Sequence, residues 1–278
     1  MFPPKKILFP VDFSEQCIGA SRFVEAMTGR FEAELVMLHV LEPPGYNGLP
    51  ETVEATETRL AIFQRDEFRY FRVRRMVEKA DDATEKILEV SRAENIDLIM
   101  MPTSGIGRYR RFILGSVTAK VLHDADCPVW TGVHLEQAPP LEALRIQNIL
   151  CAVDLKLHSE RVLEWAQQIS VEYQAGLHVV HAVPAYETRP ASYFDAELRL
   201  NLEAEGRDAM QKFLNARGVA ATIHVHGGEV AHVIGCAAQR LRADLVVIGR
   251  SFDSGLVGRL RANAYSIIRQ SPCPVLSV

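Results

Sequence analysis

Long apolar runs are missing from this 278-residue chain. No stretch approaches the roughly 20 apolar residues that span a bilayer. The N-terminus enters a strand-like run at once, without the apolar core of a secretory leader, so the expected location is the cytoplasm. An excess of one charge is missing too: 31 Lys and Arg against 35 Asp and Glu give a formal net charge of −4. With both signs interspersed there is no polyanion-binding footprint, and nucleic acid is not an expected partner. Cysteine is scarce and odd in number: Cys17, Cys127, Cys151, Cys236 and Cys273 lie in or beside apolar segments. In a chain this size they read as small buried hydrophobes in a reducing compartment in preference to a disulfide framework. A G-x-S-x-G nucleophile signature is also absent, so no residue is assigned a catalytic role.

What the chain does have is a duplication. Lys6-Ile7-Leu8-Phe9-Pro10-Val11-Asp12 returns as Asn148-Ile149-Leu150-Cys151-Ala152-Val153-Asp154, and Leu38-His39-Val40 returns as Val180-His181-Ala182, both at a shift of 142 residues. Ile96-Asp97-Leu98-Ile99-Met100-Met101 returns as Ala243-Asp244-Leu245-Val246-Val247-Ile248 at 147, and Asp126-Cys127-Pro128-Val129 as Pro272-Cys273-Pro274-Val275 at 146. Solenoid repeats run roughly 20 to 50 residues, so a repeat this long is a domain. The adjacent prolines Pro139 and Pro140 place the boundary near 136–146, between domains 1–135 and 146–278.

Each half alternates short β-branched apolar runs with amphipathic stretches, the pattern of βαβ units around a parallel sheet. Strands are expected at 6–11, 34–40, 71–77, 97–101 and 128–132, and again at 148–153, 176–183, 220–226, 244–248 and 274–278. Helices are expected from Ser14 to a left-handed Gly29, over 52–69, 81–94 and 115–124, and near 158–174, 195–217, 229–241 and 261–269. The predicted fold class is α/β: two tandem doubly wound domains, each a five-stranded parallel sheet with helices on both faces.

Ligands of such sheets bind outside the carboxyl ends of the strands at the switch point. In the first half those loops carry Asp12, Val40 and the segment from Met101 to Ser116. In that segment small residues, a helix opening at Gly115-Ser116 and the cations Arg108, Arg110 and Arg111 point to phosphate.

The strand motifs, Gly115-Ser116-Val117 and the closing Cys127-Pro128-Val129 together resemble the universal stress protein family in its tandem form, over almost the whole chain. The resemblance implies an adenine nucleotide α-hydrolase-like fold and ATP as ligand. ATP-binding members carry glycine, two residues, glycine, nine residues, then glycine with serine or threonine. Here Pro102 stands at the first position, Gly105 at the second and Gly115-Ser116 at the last. The implied site is Asp12 and Val40 towards adenine and ribose and Gly105, Gly115, Ser116 and Val117 at the phosphates, with Pro10, Val11, Met101 and Pro102 also among the cofactor-binding residues. Pro102 removes one backbone N–H from that set. In the second half Gly249 matches the first glycine, but Phe252 stands at the second and Arg261-Ala262 where Gly-Ser belongs, so that phosphate loop reads as degenerate.

Three functions compete. The first is stress response through ATP binding without turnover, acting on unidentified protein partners. The second is a nucleotide-free interaction module formed as an intramolecular pseudo-dimer. The third, ATP-cleaving ligation chemistry, lacks its Ser-Gly-Gly-x-Asp-Ser loop after the first strand, where Asp12-Phe13-Ser14-Glu15-Gln16 stands instead. In the family single domains pair through their last strands, which implies that 128–132 and 274–278 pair within one chain; pairing of whole chains into a homodimer is left open. His39 and His181 read as satisfied strand histidines. His224, His226, His232 and Cys236 have conceivable tetrahedral geometry but no familiar zinc spacing, and no metal is assigned.

Overall fold

The computed structural model describes residues 2–43, 52–103, 114–132, 144–156, 158–183, 193–250 and 257–278. The chain forms two compact units, Met1–Leu144 and Arg145–Val278. In the first, β1 (Lys6–Pro10), α1 (Glu15–Phe31), β2 (Glu34–Leu41), α2 (Val53–Ile62), β3 (Val73–Lys79), α3 (Ala83–Ala93), β4 (Leu98–Met101), α4 (Ser116–Asp124) and β5 (Val129–Thr131) follow one another. Their strand order is β3-β2-β1-β4-β5, with parallel pairing throughout. The second unit repeats the plan with β6 (Asn148–Ala152), α5 (Ser159–Tyr173), β7 (Gly176–Val183), α6 (Tyr193–Asn215), β8 (Thr222–Gly227), α7 (Val230–Leu241), β9 (Leu245–Ile248), α8 (Val257–Gln270) and β10 (Val275–Ser277). Its order is β8-β7-β6-β9-β10, again parallel.

Central strands are apolar because both faces are covered. Ile7, Leu8, Phe9, Leu98, Ile99, Met100, Ile149, Leu150, Cys151, Val246 and Val247 are all fully buried. Coverage of both faces is legible on β8: Val225 meets Gly206 of α6, whereas its neighbour His226 meets Arg240 of α7. Successive strand residues point to opposite faces, so α6 and α7 lie on opposite sides of the sheet.

The duplication extends to backbone details. Asp97 accepts the N–H groups of Lys5 and Lys6 at 2.9 and 3.1 Å, and Asp244 those of Gln147 and Asn148 at 2.7 and 2.9 Å. One carboxylate thus ties the start of the fourth strand of each unit to the start of its first. Asp82 caps α3 by accepting from Thr84 and Glu85, and Glu229, 147 residues on, caps α7 by accepting from Ala231 and His232. Left-handed non-glycine residues recur in pairs as well: Phe13 and Leu155, Glu32 and Gln174, Asn95 and Arg242.

Several boundaries differ from expectation. Gly29 is not the left-handed helix terminus of α1: Glu32 holds that conformation at φ 50°, and Gly29 is needed for close approach, since a Cβ there would fall 3.2 Å from the Phe71 ring. Helix α2 stops at Ile62 instead of running to 69, because Phe63 leaves the helix to stack on Phe13 and the Leu60 carbonyl accepts from Arg75 Nε. Strand β3 begins at Val73, two residues late, and α8 begins at Val257, four residues early. The predicted linker falls largely outside the described residues.

Candidate functional site

In the first unit β1 delivers Asp12 to the carboxyl edge of the sheet. Its Oδ1 accepts from the Ser14 N–H at 3.0 Å and the Ser14 hydroxyl at 2.6 Å, and Ser14 Oγ accepts from the Cys17 N–H. The aspartate thereby holds the turn that starts α1, with Oδ2 outside that pair of bonds. Phe13 takes a left-handed φ of 60° to make this turn, strain of about 1 kcal/mol or more for a residue with a side chain. Val11 is buried, Pro10 and Val40 are half-buried, and the Val11 N–H donates to the Leu38 carbonyl at 2.8 Å. The ends of β1 and β2 are thus held side by side.

His39 Nδ1 lies 2.7 Å from the Val11 carbonyl. A carbonyl can only accept, so Nδ1 carries the hydrogen and Nε2 is left as an acceptor. Next to it is a stack that sequence reading missed. The Phe13 ring sits 4.7 Å from His39 and 5.6 Å from Phe63, with the Arg59 guanidinium 4.1 Å from its centroid. These residues come from the turn after β1, from β2 and from the end of α2, where Arg59 and Phe63 are four residues apart.

At the end of β4 Met101 is buried and Pro102 half-buried. The Pro102 carbonyl accepts from the Thr118 hydroxyl at 3.1 Å, and the Gly115 N–H donates to Thr103 at 2.8 Å. Gly115 is the extended residue ahead of α4 and supplies no side-chain cap, while Ser116 is exposed and Val117 half-buried. The first turn of α4 therefore presents backbone N–H groups beside the end of β4, an arrangement that favours an anion. Gly105, Arg108, Arg110 and Arg111 lie outside the described residues.

The second unit contains a cleft of about 520 Å³ at the carboxyl ends of β6, β7 and β9. It lies where the predicted site falls under the internal repeat. Ala152, Val153 and Asp154 stand for Pro10, Val11 and Asp12, and Ala182 stands for Val40. Ile248 and Gly249 stand for Met101 and Pro102, and Asn263 for Val117. Asp154 behaves as Asp12 does: Oδ1 accepts from the Lys156 N–H at 3.0 Å and the Ser159 hydroxyl at 2.8 Å. His181 Nδ1 donates to the Val153 carbonyl at 2.9 Å, matching His39. The phosphate end differs, because α8 is already helical at Arg261-Ala262, where the first unit has Gly115-Ser116 ahead of and opening α4. Phe252 lies outside the described residues.

These shared site details accompany a match to the universal stress protein family twice over, across residues 3–131 and 145–278. The chain belongs to that family, in tandem form. It is 30% identical over 143 residues to universal stress protein A homolog 1 of Coxiella burnetii, covering 49% of this chain and 97% of that one. A universal stress protein of Synechocystis is 31% identical over 134 residues, covering 45% and 83%. Two solved structures share the whole fold. A functionally unknown protein of Pseudomonas aeruginosa has a TM-score of 0.71 at 21% identity, covering 99% of this chain and 92% of its own. A universal stress protein of Archaeoglobus fulgidus has 0.69 at 21%, covering 98% and 95%.

The histidines and cysteine weighed for zinc separate in space. His224 Nε2 lies 3.2 Å from His178 Nδ1, His226 meets Arg240 at 3.0 Å, and His232 meets Cys236 at 3.6 Å. Among the described residues no three His, Cys, Asp or Glu converge for a metal ion. Desolvation first, then the neighbouring His178, Arg240, His226 and Arg207, lower the His224 pKa to about 4. Cys236 is exposed on the outer face of α7, contrary to the expectation of burial, while Cys17, Cys151 and Cys273 are buried. Burial, with the Asp12 carboxylate second, pushes the Cys17 thiol far above its usual range, burial alone does the same to Cys151, and burial first of all takes Cys273 to about 12.

Proposed function

We propose that this universal stress protein binds an adenine nucleotide, ATP, in its N-terminal unit and acts in stress response through occupancy, without turnover, by biasing contacts with other proteins. The observation that carries the reading is the first turn of α4. Its N–H groups have no side-chain cap at Gly115, and they lie beside the ends of β1 and β4, where Asp12 and Pro102 stand. Helix dipole and free donors together favour a phosphate there. Asp12 and Val40, at the ends of neighbouring strands, suit the nucleoside portion. The nucleotide-free interaction module is favoured by a different observation: Pro102 offers no N–H, and its carbonyl is engaged by Thr118. In either reading the pairing of the two last strands within one chain remains part of the proposal, on grounds of effective concentration.

The test is the nucleotide released on denaturing protein purified without added ligand, followed by ATP titration calorimetry. About one ATP site per chain, lost in Gly115→Arg with circular dichroism unchanged, supports the reading. No released nucleotide and no heat at millimolar ATP would sink it and leave the interaction module.

A further inference from the structure

We infer that β8, the last strand in the order of the second unit, carries a site for a compact oxyanion of the phosphate class, held by His224, His226 and Arg240 with His178 and Arg207 beside them. The inference stands whether or not the first unit takes ATP, because it rests on side chains of the second unit alone.

Four elements bring basic groups together there. Val225 turns towards α6, so His224 and His226 turn towards α7, roughly 7 Å apart along the strand. From β7, His178 Nδ1 lies 3.2 Å from His224 Nε2. From α7, Arg240 Nη2 lies 3.0 Å from His226 Nε2. From α6, Arg207 reaches β8 and its Nη1 donates to the Ile223 carbonyl at 3.3 Å. The spread of these groups along β8 suits one small tetrahedral anion.

Negative charge is what the cluster lacks. An arginine only donates, so His226 Nε2 accepts and the ring bonded to Arg240 is neutral, with its hydrogen on Nδ1. Arg207 likewise donates to a neutral carbonyl. Among the described residues none of the five has a carboxylate partner. Glu203 of α6 accepts instead from the Gly227 N–H and Arg199, and Glu229 caps the far end of α7. The charges acting on His224, after desolvation, are those of His178, Arg240, His226 and Arg207, every one of them basic, and they hold its pKa low. A metal cation would add to that repulsion, whereas an anion would relieve it. An oxyanion also gives the remaining Arg240 N–H groups an acceptor, and it favours proton uptake by the His178–His224 pair, which turns an acceptor nitrogen into a charged donor.

The first unit shows that the fold does not require these residues. Met76 pairs with Leu38 as His224 pairs with Val180, and Glu78 pairs with Val40 as His226 pairs with Ala182. Under the same repeat Val36 stands for His178 and Ala93 for Arg240. The matching face of the first unit thus holds two apolar side chains, an alanine and a carboxylate. Packing of this sheet on its helix is satisfied without a histidine, so the basic set of the second unit calls for a reason other than the scaffold.

The experiment is NMR of the histidine ring resonances of the full chain, titrated with inorganic phosphate and with phenyl phosphate, against sodium chloride at matched ionic strength. Phosphate should shift His224 and His226, equally in Gly115→Arg, and chloride should not. Arg240→Gln should weaken phosphate about tenfold, the loss of a charge-assisted contact, and His224→Gln should weaken it less, with circular dichroism as the check on folding. Equal affinity for the two probes marks free phosphate as the ligand, and tighter binding of phenyl phosphate marks a phosphorylated small molecule. Sulfate, whose own charge is constant between about pH 6 and pH 7.5, should bind several-fold more tightly at the lower pH, because the histidines take up a proton with it. Absence of shifts at millimolar phosphate overturns the inference. So do shifts that chloride reproduces, sulfate binding that ignores pH, or affinity that Arg240→Gln leaves unchanged while folded. Loss of the shifts in Gly115→Arg would place the anion in the first unit and overturn it too, whereas failure of ATP to bind bears on the proposed function alone.

Discussion

The two units share a fold, a turn aspartate, a strand histidine and three left-handed positions, yet they part at the helix before the third strand and at the helix after the fourth. In the first, α4 is nine residues long and opens at a glycine; in the second, α8 is 14 residues long and runs through the matching position. Backbone details that stabilise the sheet are kept in both units. The start of the helix after the fourth strand is not kept: α4 opens at Ser116, whereas α8 opens five residues ahead of the equivalent Ala262. The difference teaches that the strand clamps and the start of that helix are separable in this fold, since the sheet needs its clamps whereas the helix can begin a turn earlier.

The comparison can be broken at several levels. The largest effect should come from the core. Leu8 and Leu150 are equivalent and fully buried, so Leu8→Ala and Leu150→Ala should each cost about 2–5 kcal/mol in urea unfolding. A large disagreement between them would show that the units are not mechanically alike.

Next come the strand clamps. Asp97→Ala and Asp244→Ala each leave two strand-start N–H groups without their carboxylate, at a cost of about 1–3 kcal/mol each. Loss of stability from one change and none from the other would remove the equivalence.

A third effect belongs to the second unit. The His224 pKa is lowered to about 4, against roughly 6.5 for an unfolded imidazole. As pH falls through 6.5 the unfolded chain gains a proton that the folded chain refuses, so stability should decline from about pH 6.5 to about 4 and level off below. His224→Gln should flatten this part of the urea-midpoint profile; an unchanged profile would place the pH dependence elsewhere.

The smallest effect is a gain. Arg242 is left-handed at φ 48° at the end of α7, where Asn95 occupies the equivalent place in the first unit. Asparagine tolerates this region better than arginine, so Arg242→Gly should stabilise by about 0.5–1 kcal/mol, and Asn95→Gly by less. Thermal unfolding of the pair reads the difference.

Much of the fold was legible because its signal is local. Period-2 and buried apolar runs mark strands wherever they occur, and the shifts of 142 to 147 residues align one half on the other without coordinates. Asp12, Asp154 and Gly115 stood out because they end or begin an element. The contact of Phe13 with His39, Arg59 and Phe63 did not, since it joins the turn after β1 to β2 and the end of α2 and so leaves no periodic trace. Gly29 was misplaced for the same reason: its neighbour Phe71 is distant in sequence, and only that contact shows that space, not backbone angle, demands glycine.

From its sequence alone this protein was bound to be a tandem α/β molecule of the universal stress type, because hydrophobic periodicity and internal repetition are properties of the chain itself. Where α2 ends was decided by the tertiary structure, through the contact of Phe63 with Phe13 and the bond from Arg75 to the Leu60 carbonyl. The cleft beside β6 and β9 was likewise beyond the sequence, because its walls come from α5, α7 and α8 as well as the strands, and only folding brings them together.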